Sequence, residues 1–152
     1  MSNLLVQNIK HTNNTTAMTV NSSGHVATDT IKGNSTAGSI SVVGEGGSTT
    51  TNLQQGLAKM WCQYDGSGTA QLDDSFNSSG ITDHATGTYT LLIANDMSND
   101  DYAVGGLMEG MNYQFASEAT KQTTGVKVET MGSGGSKFDC TYGCIIIHGD
   151  LA

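Results

Sequence analysis

The sequence predicts an all-β protein, and its composition, turn residues and apolar periodicity all support that fold class. Glycine occurs 20 times and proline is absent, while threonine, serine and asparagine are abundant, as is typical of strands and the turns between them. Residues 126–130 alternate apolar and polar side chains with a period of two, which indicates a half-buried strand. We therefore expect an antiparallel sandwich or jelly-roll-like domain, preceded by an extended β arm.

The predicted arm covers residues 1–52. Its short apolar segments, at residues 4–6, 18–20 and 39–43, are separated by polar turn formers, and no aromatic residue precedes Trp61. Strands this short bury little apolar area against a backbone entropy cost of about 1–2 kcal/mol per residue. The arm should therefore become ordered by wrapping against other copies of the chain or against another protein.

The predicted globular domain covers residues 53–152. A linker or wide turn over residues 44–51 and one helical turn over residues 52–56 lead into it. The predicted strands cover residues 57–64, 69–76, 87–93, 101–108, 126–130 and 138–147. The last strand ends in a continuous apolar run, which is typical of a central strand buried on both faces.

The aromatic residues of this domain are predicted to be core residues or cross-strand pairs rather than sugar-stacking surfaces. They include Trp61, Tyr64, Tyr89, Tyr102, Tyr113 and Tyr142. If Trp61 is a core residue, its removal should unfold the domain at a cost of about 3–5 kcal/mol.

The charge of the chain argues against a nucleic-acid partner. The formal net charge is -8, from six lysines and 14 carboxylates, and residues 60–120 contain nine carboxylates but no lysine or arginine. Such a surface repels phosphates and is well solvated. No apolar run approaches the roughly 20 residues of a membrane span, so membrane insertion is not expected.

The cysteines predict a protein made in a reducing cytosol. Three is an odd number, and Cys62 is far in sequence from Cys140 and Cys144. We therefore expect buried thiols rather than a disulfide framework. The spacing of Cys140, Cys144 and His148 resembles a metal set, but positions four apart on a strand are about 13 Å apart, too far to share one ion.

The loop at residues 95–101 contains the one weak candidate for a metal site. Asp96, Asp100 and Asp101 supply carboxylates, and two asparagines add amide oxygens, the ligands that Ca²⁺ prefers. The loop lacks a central glycine and a distal bidentate glutamate. Aspartate and asparagine are also the usual residues of β turns, and we favour a turn. No other metal site and no cofactor is predicted.

No catalytic residue is predicted, and we expect that the protein is not an enzyme. The chain has neither the G-x-S-x-G nor the H-E-x-x-H pattern. Asp73 and Asp74 are adjacent, and neighbouring residues of a regular strand point to opposite faces. They are therefore not expected to form a cooperating pair. The sequence leaves any ligand-binding residues unknown.

An ordered series of motifs resembles the C-terminal domain of tail-fibre-like proteins of marine bacteriophages. That family tends to have W-x-x-F-x-G-x-G-T, S-F-N, S-I-T-D-x-G-T-G-x-Y-T and N-Y-A-V in this order, often before a cysteine-containing apolar strand. The corresponding segments are residues 60–69 (MWCQYDGSGT), 74–77 (DSFN), 79–90 (SGITDHATGTYT) and 101–104 (DYAV). Residues 4–10 and 18–26 are also similar to leaders seen in this family.

The resemblance implies a structural protein of a bacteriophage virion, made in the host bacterial cytoplasm and displayed on the particle surface as a homotrimer. Its partners would be other copies of itself, a tail protein or the major capsid protein, and a host-surface glycan. Residues 1–52 would serve oligomerisation or virion attachment, and residues 53–152 would form a projecting knob. The family offers no catalytic residue to carry over.

Three functions remain open at this point. The first is a short tail fibre or knob that adheres to the host surface. Long fibres carry a large anchoring domain ahead of this module, whereas here the module begins close to Met1, which leaves the attachment point open. The chain could therefore also be a capsid decoration protein on the head. The third function is that of a polysaccharide-binding or -degrading tailspike domain, which would need paired carboxylates about 5–9.5 Å apart.

Overall fold

The computed structural model describes residues 8–10, 16–20, 22–28, 30–32, 40–44, 46–109, 113–115 and 120–152. The chain divides into two compact units, residues 1–40 and residues 41–152. Strands dominate the described residues, and all described strand pairs are antiparallel, so the all-β prediction is confirmed. The jelly-roll topology and the trimer stay predictions, as does the functional division at residues 52 and 53.

The first unit contains a small antiparallel sheet. Its strands are β1 (Asn8–Lys10), β2 (Thr16–Val20) and β3 (Val26–Ala27), in the order β1-β2-β3. Among its described side chains none is buried, in keeping with the expectation that strands this short bury little area. The predicted apolar segment at residues 4–6 lies outside the described residues.

The second unit begins with a hairpin of β4 (Ser41–Val43) and β5 (Thr50–Asn52), both of which lie within the predicted arm. The one-turn helix α1 (Leu53–Gly56) follows, and the side chain of Asn52 caps it by accepting hydrogen bonds from the backbone N–H groups of Gln54 and Gln55. Such a cap satisfies N–H groups that have no partner inside a helix. The predicted helical turn is confirmed.

The rest of this unit is built from two sheets. The four-stranded sheet has the order β10-β14-β6-β7, and the five-stranded sheet has the order β11-β13-β9-β8, with β12 paired to β13. The strands are β6 (Met60–Asp65), β7 (Gln71–Phe76), β8 (Ser78–Ala85), β9 (Thr88–Ile93), β10 (Ala103–Met108), β11 (Tyr113–Phe115), β12 (Lys121–Gln122), β13 (Gly125–Met131) and β14 (Gly143–His148).

The inner faces of the two sheets share one core, which makes the unit a β sandwich. Buried residues alternate with partly buried or exposed residues along most of β6, β9, β13 and β14, as expected for strands with one face on a core. The buried apolar residues of this core are Met60, Cys62, Tyr64, Tyr89, Leu91, Ile93, Met97, Tyr102, Val126, Val128, Cys140, Ile145 and Ile147.

Two tyrosines fill the centre of the core, and each lies against a glycine. The rings of Tyr64 and Tyr89 are 5.6 Å apart in a tilted arrangement, a geometry that aromatic pairs favour. A Cβ atom on Gly143 would lie 2.4 Å from the ring of Tyr64, and one on Gly66 would lie 2.3 Å from the hydroxyl of Tyr89. The glycines are therefore required by the tyrosines that pack on them.

Asn77 connects three segments at the junction of β7 and β8. Its φ of 55° is the only positive value among the described non-glycine residues. Its amide nitrogen donates to the backbone carbonyls of Lys59 (2.9 Å) and Asn95 (3.2 Å), and its amide oxygen accepts from the backbone N–H of Asn95 (2.8 Å). Asparagine tolerates the left-handed conformation better than other side chains, so both its backbone and its amide suit this position.

Replacing Asn77 by alanine should lower the free energy of unfolding by about 2–3 kcal/mol, because it removes these hydrogen bonds and adds left-handed strain. Asn77→Gly is the control, since glycine adopts this φ freely but makes no side-chain bond. Urea denaturation should show a smaller loss for glycine than for alanine. Equal losses would mean that the backbone conformation contributes nothing.

Candidate interaction surface on the four-stranded sheet

The outer face of the four-stranded sheet carries a row of apolar residues. Trp61 of β6 lies directly between Ile146 of β14 and Phe76 of β7 in the register, and Ile146 lies beside Gly105 of β10. These residues form a row across all four strands that contains no charged or polar side chain. Leu107 of β10 lies one step along the same face, beside Cys144.

The side chains of this row are open to solvent. Exposure is 73% for Leu107, 53% for Phe76, 39% for Ile146 and 37% for Trp61. Large apolar side chains exposed together, rather than singly, are typical of an interaction site. We define these four residues as the apolar face, which is the candidate functional site of the chain.

Two sequence predictions about this face are wrong. Trp61 is not a core residue, because the odd-numbered positions of β6 point outward while Met60, Cys62 and Tyr64 point into the core. The last strand, β14, is central in its sheet as predicted, but it is not buried on both faces, because Ile146 lies on the open side. It also begins at Gly143 rather than at residue 138.

The outer face of the five-stranded sheet has the opposite character. Thr82 pairs with Thr90, and Thr90 pairs with Lys127, so a polar row crosses β8, β9 and β13. His84 bonds to the hydroxyl of Thr90 (2.8 Å), and nearby Glu129 forms an ion pair with Lys137 (2.8 Å). One sandwich thus has one polar outer face and one outer face with an exposed apolar row, and the apolar face is therefore the stronger candidate for an interaction site.

The border of the apolar face near the β6–β7 turn is acidic. A bulge in β7 opposite Gln63 breaks the alternation, so Asp73 and Asp74 are both exposed while Leu72 and Ser75 face inward. The prediction that these two carboxylates point to opposite faces is therefore wrong. Asp73 accepts a hydrogen bond from Gln63 (3.4 Å), and Asp74 accepts one from the backbone N–H of Ser75 (2.8 Å).

The predicted calcium residues lie in a loop that is organised as a turn. The side chain of Asn99 accepts a hydrogen bond from the backbone N–H of Asp101 (3.0 Å), which is a standard turn interaction. In the part of the chain that the structure describes, no three carboxylate, histidine or cysteine side chains come close enough together to hold a metal ion. The structure therefore does not gather Asp96, Asp100 and Asp101 into a site.

The three thiols differ in environment, and none of them forms a disulfide. Cys62 and Cys140 are buried, whereas Cys144 is only partly buried, on the side of β14 that carries Ile146. Burial raises the pKa of Cys62 from 9.0 to about 12 and also raises the pKa of Cys140. The buried thiols are thus protonated and poor nucleophiles at neutral pH.

This burial predicts that the protein loses stability in alkali. The pKa of Cys62 is higher in the folded chain than in the unfolded chain, so its contribution is complete below pH 9.0 and is lost as the pH rises toward 12. The loss is on the order of 1 kcal/mol for each pH unit in this range. Urea denaturation at pH 8 and pH 11 should show a smaller decrease for Cys62→Ala than for the wild type. An equal decrease in the two proteins would show that groups other than Cys62 cause the loss of stability in alkali.

The remaining predicted aromatic residues divide between core and surface. Tyr102 is buried, and its hydroxyl donates to the carbonyls of Gln122 (3.0 Å) and Gly125 (3.1 Å). Tyr142 is exposed at the start of β14, and the side chain of Tyr113 lies outside the described residues. The sequence did not predict that Phe76, Leu107 and Ile146 lie on the surface. Ile146 lies between two other isoleucines, so no sequence signal marked it as the exposed one.

A second, smaller feature is an open pocket of about 260 Å³ beside the β4–β5 hairpin, lined by Val42, Thr51, Asn52, Leu53, Gly56 and Leu57. It lacks a titratable side chain. Among the described residues there is also no helix with the length and hydrophobicity needed to cross a bilayer.

Comparison of the chain with protein-family models, with curated proteins and with solved structures gave no match.

Proposed function

We propose that the chain is a structural protein of a bacteriophage virion, without enzymatic activity, that projects from the particle as a short tail fibre or knob and adheres to the host surface. The observation that carries this proposal is the ordered motif series in residues 60–104, which resembles tail-fibre-like proteins. The proposal includes a homotrimer, and its partners are other copies of the chain, a tail or capsid protein and a host-surface glycan.

The positions of several motif residues support a structural role in the fold for the segments that carry the resemblance. Gly66 of the first motif lies against Tyr89, and Asn77 of the second bridges Lys59 and Asn95. Gly87 of the third occupies a positive φ, and Tyr102 of the fourth is buried. Each motif thus has a role in the sandwich, and Trp61 of the first motif and Phe76 of the second also contribute to the apolar face.

The apolar face and the arm support an assembly function. A chain that acts alone has no use for an uncovered row of Trp61, Phe76 and Ile146, because exposed apolar area favours association. Attachment to the head as a capsid decoration protein would use the same apolar face and arm. An experiment is therefore needed to distinguish a tail location from a head location.

The test is the position of the protein on intact particles of the phage that encodes it. An antibody raised against residues 53–152 and labelled with gold should bind at the tail, and purified chain should bind host cells. The same antibody absorbed with purified chain is the control. Label spread over the head would mean that the chain is a capsid decoration protein rather than a tail fibre. Particles without label would contradict the proposal, and depolymerisation of host polysaccharide by the purified chain would contradict the absence of enzymatic activity.

A further inference from the structure

The arm sheet presents an apolar face of its own. Ile9 pairs with Met18, which lies two residues before Val20, and Val20 pairs with Val26. Because side chains alternate with a period of two, Ile9, Val20 and Val26 lie on the same side of the sheet. Ile9 and Val26 are 51% and 58% exposed. One chain therefore carries two uncovered apolar faces, one in each unit.

The two units also carry opposite charge. Residues 1–40 contain two lysines and one carboxylate, for a net charge of +1, whereas residues 41–152 contain four lysines and 13 carboxylates, for a net charge of -9. Two copies of the sandwich unit repel each other, but the arm unit and the sandwich unit attract. Asp73 and Asp74 at the border of the apolar face add to this attraction.

We infer that the arm sheet of one copy, formed by β1, β2 and β3, packs with its apolar side on the apolar face of a second copy. This inference rests on the oligomeric part of the proposed function and names its interface. Both faces are exposed in the single chain, and arm-to-face contact covers both of them at once. Direct contact between two apolar faces would cover only one and would bring two acidic units together.

Such a contact is of the kind that can close into a ring. An interface between two different surfaces is heterologous, and a set of heterologous contacts closes into a ring when the rotation between neighbours allows it. Three copies that each donate an arm and accept an arm form a closed trimer. A contact between identical faces would instead produce a two-fold dimer.

The experiment compares three single variants of the full chain by light scattering over a range of concentrations. Leu107→Glu alters the apolar face and Val26→Glu alters the arm, and both residues are well exposed, so folding should be retained. Thr82→Glu on the polar face of the same sandwich is the matched control, since it adds the same charge at an exposed position. Circular dichroism verifies that each variant is folded.

We expect the first two variants to weaken association at least tenfold, as for central interface residues, and the control to associate like the wild type. An equimolar mixture of Leu107→Glu and Val26→Glu should form mixed pairs, because one partner keeps an intact arm and the other keeps an intact apolar face. Trp61 is the only tryptophan, so the wild type's fluorescence should shift to longer wavelength when dilution uncovers the face.

The remaining outcomes overturn the inference in distinguishable ways. If only Leu107→Glu dissociates, the apolar faces meet each other and the arm is not the occupant. If neither variant dissociates, or the mixture forms no mixed pairs, the oligomer stands but its interface lies elsewhere. If the wild type is a monomer at every concentration, the homotrimer of the proposed function fails as well. The gold-label test of the virion location is independent of all these results.

Discussion

Replacing Gly87 by alanine is expected to lower the free energy of unfolding by about 2–4 kcal/mol, through left-handed strain and overpacking together. Gly87 lies in the turn between β8 and β9 with a φ of 62°. A Cβ atom there would lie 2.7 Å from the carbonyl oxygen of Thr130 and 2.8 Å from that of Phe138. These are backbone atoms, which cannot turn away as a flexible side chain could.

The backbone at Gly87 also cannot shift easily to relieve the contacts that an added Cβ atom would make. The backbone N–H of Gly87 donates to the carboxylate of Asp139 (2.7 Å), and its carbonyl accepts from the N–H of Thr130 (2.9 Å). The hydroxyl of Tyr89 donates to the same Asp139 oxygen (2.7 Å). Moving the turn would therefore break bonds that join β9, β13 and the segment before β14.

Gly68 supplies the matched control for this prediction. Its φ is 64°, nearly that of Gly87, but a Cβ atom at Gly68 meets nothing within 4 Å. Gly68→Ala should therefore lower the free energy of unfolding by about 1 kcal/mol, which is the cost of the left-handed backbone conformation alone. Thermal or urea denaturation of both variants measures the difference. Equal losses would show that the close approach at Gly87 does not exist in solution.

Replacing Tyr64 by alanine should cost about 3–5 kcal/mol, which is the range for large buried aromatic side chains. Tyr64 is fully buried against Tyr89 and Gly143. The loss is a large part of the roughly 5–15 kcal/mol that stabilises a typical domain. We therefore expect Tyr64→Ala to be largely unfolded at 37 °C.

Trp61→Ala, three residues earlier on the same strand, should cost only about 1–2 kcal/mol, because a partly exposed side chain loses less buried area. Its larger effect should be on association, since Trp61 lies at the centre of the apolar face. Both unfolding curves are to be measured at a concentration low enough for the wild type to be monomeric. A cost for Trp61 equal to that for Tyr64 would contradict the outward orientation of its ring.

Some strands were predictable because their apolar and polar side chains alternate along the sequence. Most of β9 and β13 alternates buried and partly buried positions, and periodicity detects such strands. β8 was missed, because Ser78–Ala85 is mostly polar and exposed. It is held by backbone hydrogen bonds to β9. Backbone groups of almost any sequence can form such bonds, so they leave no pattern in the side chains. The strand predicted at residues 138–147 was too long, because residues 138–142 form a loop that places Cys140 in the core.

The candidate surface was less predictable than the fold. Residues 145–147 are three consecutive isoleucines, and nothing in the sequence distinguishes the middle one from its neighbours. The sheet assigns Ile145 and Ile147 to the core and Ile146 to the open side. In the same way, Asp73 and Asp74 occupy one side only because β7 contains a bulge, a local insertion that alternation rules do not anticipate.

The sequence by itself determined the fold class, the acidic charge, the helical turn and the positions of the main core strands, because composition and periodicity are local properties of the chain. The tertiary structure alone decided which apolar residues are covered. Whether Trp61, Phe76, Leu107 and Ile146 are buried depends on whether a second layer packs over them, and the sandwich places its second sheet on the opposite side. Burial is a relation between elements distant in sequence, so no single strand's pattern could establish it.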